Sequence, residues 1–212
     1  MCGFCGFTGN VLDRDAYIKE MARLITHRGP DSEGYYLDDG IAMGFRRLSI
    51  IDIEAANQPL YNEDKSLVLM FNGEIYNYRQ LRDELLAAGH VFVTDGDGEV
   101  LVHGFEEWRE ELLPRLRGMF AFVLWNPEEG SVFIARDYFG IKPMHYTVLD
   151  DGSLVYGSES SPFWPIPAWL RRSIRQRWTA TSPFSTPSRG KPFLKASIVC
   201  RPPIICGSKT EP

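Results

Sequence analysis

Cys2 stands one peptide bond behind the initiator methionine in the opening stretch MCGFCGFTG. An initiator Met before a small residue is normally trimmed, so the mature chain is expected to begin at Cys2. One residue then carries both a thiol and a free α-amino group. A thiol is a useful nucleophile only as thiolate. An α-amine has a reference pKa of about 8, so it is partly unprotonated near neutral pH and can take the thiol proton directly or through a water. Cys2 could thus do alone what a Cys/His pair does together. Two other readings stay open. Cys2 and Cys5 form a C-x-x-C, the spacing of redox dithiols and of half a zinc site. A zinc site needs a second pair, and Cys200 and Cys206 are separated by five residues, wider than usual.

A nucleophile acting on an acyl group needs hydrogen-bond donors for the developing oxyanion. In FNGEIYN, Asn72 and Gly73 follow a strongly apolar run and could supply a side-chain amide and an unhindered backbone N–H. The same Asn-Gly pair is also a hairpin-turn signal. RRLSIID offers two adjacent arginines, only one of which can face inward from a strand, where a guanidinium fork suits a carboxylate. TDGDGEV places Asp95, Asp97 and Glu99 among glycines, either as a solvated turn or as acids aimed at an ammonium; the calcium-loop pattern is not completed. HRGPDSEG reads as a loop, with His27 structural rather than catalytic.

These residues need a scaffold. FCGF reads as a strand, and Tyr17, Met21, Leu24 and Ile25 mark an amphipathic helix behind the possible caps Asp13 and Asp15. IAMGF, RLSII and SLVLMF read as strands. A helix follows from a cap at Asn77, with Gln80 three residues on and Gly89 closing it. VFV (91–93) reads as a short strand, and Leu101, Phe105 and Trp108 share a helical face. MFAFVLWN, SVFIAR, MHYTVL and SLVYG are strands separated by turn residues. The nearly continuous apolar run from Met119 to Trp125 predicts a strand covered on both faces. Short turns predict antiparallel pairing, and the whole predicts a layered sheet-and-helix sandwich.

The chain of 212 residues is long enough for one ordinary domain plus an appendage. Four cysteines, no cationic-then-apolar leader and no apolar run of membrane-spanning length predict a cytoplasmic protein without membrane insertion. Net charge is divided unevenly: residues 161–210 hold nine Lys or Arg and no acid, whereas 14 basic and 27 acidic residues leave positions 1–160 near −13. The tail also has nine of the 14 prolines and three of the five tryptophans. A basic arm for nucleic acid is one reading. The Trp- and Pro-rich mix disfavours it, and out-of-frame or truncated-gene sequence is the preferred one.

MCGFCGFTG, HRGPD, RRLSIID followed by QPLYNED, FNGEIYNYRQLR, DGEVLVHGFEEW, LRGMFAFVLWN and RDYFGIKPMHYT occur in order across residues 1–159. Together they resemble the class II glutamine amidotransferases, and most closely the N-terminal glutaminase domain of bacterial glutamine-hydrolysing asparagine synthetases. The resemblance implies an α+β fold, a four-layer αββα N-terminal-nucleophile hydrolase sandwich of two antiparallel sheets, over residues 1–159, with an irregular tail over 160–212. It implies Cys2 as nucleophile with its own amine as base, Asn72 and Gly73 as oxyanion hole, Arg47 on the glutamine α-carboxylate, and Glu74 and Asp97 on its α-ammonium. No metal and no cofactor are implied for this part; ATP and Mg²⁺ belong to a synthetase domain with an SGGLDSS-type loop, which does not occur in this sequence. Glutamine, a synthetase domain and a second copy of the chain are the implied partners. Three details depart from the family pattern: glycines on both sides of Asp97, Met144 in place of Leu, and Cys5, which has no catalytic role and reads as a small buried hydrophobe.

Overall fold

The computed structural model describes residues 1–9, 11–48, 57–149 and 151–163, together with the backbone of 197–201 and 205–208. The elements are β1 (Gly3–Thr8), α1 (Arg14–Leu24), β2 (Ser32–Leu37), β3 (Ile41–Arg47), β4 (Leu60–Tyr61), β5 (Val68–Ile75), α2 (Tyr78–Ala88), α3 (Glu99–Trp108), a short α4 (Leu112–Arg115), β6 (Gly118–Asn126), β7 (Ser131–Arg136), β8 (His145–Val148), β9 (Leu154–Gly157), β10 (Ser197–Arg201) and β11 (Ile205–Ser208). One sheet has the order β2-β3-β1-β9-β8 and the other β11-β10-β7-β6-β5-β4. Every pairing is antiparallel.

Side-chain alternation along the strands separates the apolar residues into three layers of contact. On β1, Phe4 faces the second sheet, and Cys5 and Phe7 face α1. Phe4, Met43 and Phe45 meet Val68, Met70, Ala121 and Val123 between the sheets. Ile18, Met21, Ala22 and Ile25 cover the outside of the first sheet. Leu69, Phe71, Ile75 and Phe122 pack beneath Leu81 and Leu85 of α2 and Leu101 and Phe105 of α3. Helix, sheet, sheet and helix follow one another, and the fold is the α+β sandwich expected. Met144 is buried in the inter-sheet core, so its exchange for Leu keeps an apolar contact.

The far end of the sandwich is tied by Trp125, whose Nε1 donates to Asp38 Oδ2 at 2.5 Å. Asp38 Oδ1 accepts the backbone N–H groups of Gly40 and Ile41 in the β2–β3 turn. That leaves the other end, where β1 begins and β3 finishes, open for a site.

Several local expectations change. VFV is not a strand: Phe92 packs against the outer core while the N–H groups of Val93 and Thr94 bond the Glu99 carboxylate, so the segment serves as the lead-in to α3. Asn77 stands at the start of α2 but its side chain bonds Arg115 O and Arg117 N instead of capping. Gln80 bonds Glu84 and closes no capping box. Asp13 flanks α1 in a left-handed conformation, with no side-chain cap, and Asp15 pairs with Lys19. Gly89 does end α2, at φ 104°. Ser32 to Gly34, read as loop, extend β2 along β3. Of RLSII, residues 49–51 lie outside the described residues. The described part of the expected irregular tail is a pair of strands, β10 on β7 and β11 on β10; residues 164–196 lie outside the described residues.

Candidate active site

Cys2 precedes β1 and packs, half-buried, against the inter-sheet core. Its Sγ lies 3.5 Å from the Leu48 N and 3.8 Å from the Leu48 O, just past the end of β3. The register explains the meeting: Gly3 pairs with Arg46, so Cys2 and Arg47 come next at the same end of the sheet. Arg28 holds the segment from behind. Its Nε donates to the Cys2 carbonyl at 3.1 Å, and its Nη1 reaches Glu159 at 2.9 Å. His27 is an exposed partner of the same Glu159, at 3.0 Å, in keeping with a structural reading. The Met1 ammonium donates to Arg28 O at 3.1 Å.

Asn72 and Gly73 lie inside β5, paired with Ala121 and Phe120, and the strand continues to Ile75. The hairpin-turn reading is therefore excluded. Alternation turns Asn72 toward the inter-sheet core, on the side of Met70 and of Cys2. Its residue is 3% exposed and its Nδ2 has no hydrogen-bond partner among the described residues. A buried amide donor left without an acceptor costs about 1–3 kcal/mol, and native structures keep such groups for a reason. The Gly73 N–H has a definite direction as well. Both backbone groups of Phe120 are bonded to Asp137 on the opposite side, so Gly73 faces a non-bonded partner and points toward the β4 edge. Its neighbours on that edge are engaged: the Gln58 side chain accepts from Phe71 N at 2.6 Å and donates to Phe71 O at 2.7 Å, and Asp97 accepts from Ile75 N at 2.7 Å. Gly73 lies between these two clasps.

Arg47 is the inward member of the arginine pair. Arg46 points outward, donating to Ala22 O of α1 at 3.2 Å and pairing with Glu33 at 2.7 Å. Arg47 is 5% exposed, and its Nη1 donates to Asn57 Oδ1 at 3.3 Å. Asn57 is next to Gln58, so one short segment joins Arg47 of the first sheet to Phe71, the neighbour of Asn72, in the second. Glu74 alternates onto the inner side and is exposed at the mouth. Burial pushes the Asp97 carboxyl above its ordinary pKa, and the nearby Glu74 charge adds to the rise while the bond from Ile75 opposes it. Two carboxylates held this close suit a cationic group between them.

Residue types and spacing did not reveal Arg28, Asn57 and Gln58 as positioning groups, although Arg28 and Gln58 lie within HRGPD and QPLYNED. Their contacts span 10 to 131 residues. The C-x-x-C readings fall on geometry. Cys2 and Cys5, three apart in extended chain, face opposite sides of the sheet, and both are free thiols. Burial pushes the Cys5 thiol far up, so it stays protonated. The side chains of Cys200 and Cys206 lie outside the described residues.

The family model of the glutamine amidotransferase domain matches residues 1–184. This chain belongs to that family. The amidotransferase domain is 49% identical over 156 residues to asparagine synthetase [glutamine-hydrolyzing] 1 of Bacillus subtilis, covering 71% of this chain and 25% of that protein. It is 41% identical over 162 residues to the asparagine synthetase of Zea mays, covering 75% and 27%. The chain thus spans about a quarter of the length of these relatives. Its fold matches the glutamine phosphoribosylpyrophosphate amidotransferase of B. subtilis with a TM-score of 0.63 at 23% identity, over 76% of this chain and 43% of that one.

In this domain Gly73 is fixed by space. A Cβ there would lie 2.2 Å from Met119 O and 2.7 Å from Phe120 Cα, both backbone atoms of β6. Gly73→Ala is expected to force β5 and β6 apart and destabilise the fold by about 1–3 kcal/mol, read as a lower urea midpoint at unchanged slope; an unchanged midpoint would show that the β5–β6 spacing yields freely.

Proposed function

We propose that this chain hydrolyses the side-chain amide of glutamine to glutamate and ammonia through a thioester on Cys2, as the ammonia-supplying part of an asparagine synthetase. The observation that carries the reading is the buried, unpartnered Nδ2 of Asn72 on the inner surface that Cys2 joins, with the next residue's N–H, that of Gly73, directed to the β4 edge. ATP and Mg²⁺, with aspartate, belong to the synthetase domain of such a protein; the hydrolysis takes no cofactor. Residues 1–159 form the catalytic body, and the basic tail of 160–212 stands outside the chemistry. A synthetase domain or a second copy is the fitting partner, and the cytoplasm the fitting compartment; no helix among the described residues is long and apolar enough to cross a membrane.

Removal of Met1 converts the Cys2 nitrogen from an amide into an amine that can take the thiol proton. The thiolate then attacks the amide carbon of glutamine, forming a C–S bond as the C=O electrons move to oxygen. Asn72 Nδ2 and Gly73 N–H donate to that oxygen, two fixed dipoles needing no reorganisation. Collapse of the intermediate breaks the C–N bond, the Cys2 ammonium protonates the leaving nitrogen, and ammonia departs. Water, deprotonated by the same amine, cleaves the thioester to glutamate. Arg47 holds the α-carboxylate, and Glu74 and Asp97 hold the α-ammonium, so the amide carbon is presented at one distance and orientation.

Intact mass of the untagged protein, before and after a diazo-ketone glutamine analogue, tests the reading. Loss of Met1 and one adduct, absent in Cys2→Ala, is the expected result; no adduct on the trimmed chain would leave the residues without the activity. Asn72→Ala should lower kcat about 100-fold or more with a smaller change in KM, and an unchanged kcat in steady-state glutaminase assays would remove Asn72 from this role.

Asp97 must be ionised to hold an ammonium, and its pKa is raised. The KM for glutamine should therefore rise as pH falls through that pKa, while bound ammonium pulls the pKa back down. Asp97→Asn keeps an acceptor for Ile75 N but loses the charge. It should raise KM by roughly 10-fold or more and flatten this acid limb; a retained limb in the KM profile assigns it to another group.

A further inference from the structure

Glu63, His90, His103 and Glu106 come from three separate pieces of chain: the turn after β4, the residue after the Gly89 end of α2, and one face of α3 at i, i+3 spacing. One ligand atom from each lies within 4.8 Å of the others. His103 is 1% exposed, and its Nδ1 has no hydrogen-bond partner among the described residues. That atom is 3.3 Å from one Glu63 oxygen, and the other Glu63 oxygen is 3.4 Å from His90 Nδ1. His90 Nδ1 is 3.8 Å from Glu106 Oε2. Bonds of about 2.0–2.1 Å to a tetrahedral zinc place the ligand atoms about 3.3–3.4 Å apart; the two Glu63 contacts have that length, and the four ligand atoms, all within 4.8 Å of one another, close onto an ion by side-chain shifts of about 1 Å.

We propose that these four residues bind a divalent transition-metal ion, Zn²⁺ by preference, in a closed structural site. Two imidazoles with two carboxylates favour zinc over Mg²⁺ or Ca²⁺, which want oxygen ligands throughout. The surroundings orient the ligands as an outer shell does. Glu107 lies 3.4 Å from His90 Nε2, Val91 N donates to Glu63 at 2.6 Å, and Asn62 Nδ2 donates to Glu106 at 3.1 Å. The Phe92 ring packs on His103 at 4.5 Å between centroids, while Glu63 and Glu106 remain about a third exposed and leave an entry path. Four protein ligands leave no open position, so the ion staples the helical layer behind β5 and takes no part at Cys2, which lies between the sheets.

The test uses the full chain carrying Cys2→Ala, so that the reactive thiol binds no metal. After chelation and equilibrium dialysis against Zn²⁺, metal analysis should find one zinc per chain and thermal unfolding should shift upward, with no shift in Mg²⁺ or Ca²⁺. Adding Glu63→Gln and Glu106→Gln, both at exposed positions, should weaken retention by at least ~100-fold, since even outer-shell changes cost about 10–100-fold. Co²⁺ in the parent should give tetrahedral d–d bands without a thiolate charge-transfer band. No retained zinc, equal retention by the Glu→Gln variant, or a thiolate band that places the metal on the remaining cysteines overturns the proposal.

Discussion

The pairing of β5 with β6 is the constraint on which the site depends, because a slip of one residue would move Asn72 out of the inter-sheet space and aim Gly73 into it. Polarity does not fix this register. β5 is apolar on both faces, with Val68 and Met70 turned inward and Leu69 and Phe71 turned outward. What fixes it is local and specific. Only glycine fits opposite Phe120 against Met119 O, the Gln58 amide closes on both backbone groups of Phe71, and Asp97 takes the N–H of Ile75. A slipped strand would place a side chain against β6 and leave Gln58 and Asp97 facing the wrong groups.

The same clasps connect the sheets to the chemistry. Gln58 grips β5 one residue before Asn72, and Asn57 beside it accepts from Arg47 at the end of β3. Gly34 of β2 makes room for this crossing, since a Cβ there would lie 1.8 Å from Gln58 O. The groups assigned to the two ends of a glutamine molecule are thus tied to one segment of chain. The stability given up at Asn72 and Asp97 is offset by the three apolar layers, in which the strands are covered on both sides.

Much of this was legible in the sequence because it depends on short-range rules. The inward position of one arginine of the pair follows from strand alternation, and the end of α2 from a glycine able to take a positive φ. The run from Met119 to Trp125 lacks polar residues because helices cover one side and the other sheet covers the second. The capping failures share a cause: a polar side chain can find a better partner than the backbone of its own first turn, near or far in sequence. Asn77 and Gln80 satisfy a capping pattern, yet Asn77 is drawn to the loop at 115–117 and Gln80 to Glu84. Gln58 is 13 residues from Phe71, and Glu63, His90 and His103 carry no common spacing. Nothing in a local window announces either association.

The two cysteines of β1 and its approach show how the fold gives one residue type two different surroundings. Cys5 points into the α1 layer, fully buried, where ionisation would put a charge among Phe7, Ile18 and Met21. Burial therefore holds it as a thiol, and it behaves as a small hydrophobe. Cys2, three residues earlier, faces the other side at the open end of the sandwich, within reach of the Leu48 backbone and of solvent. An odd spacing in extended chain thus sets the proposed nucleophile and a packing residue on opposite sides of the sheet.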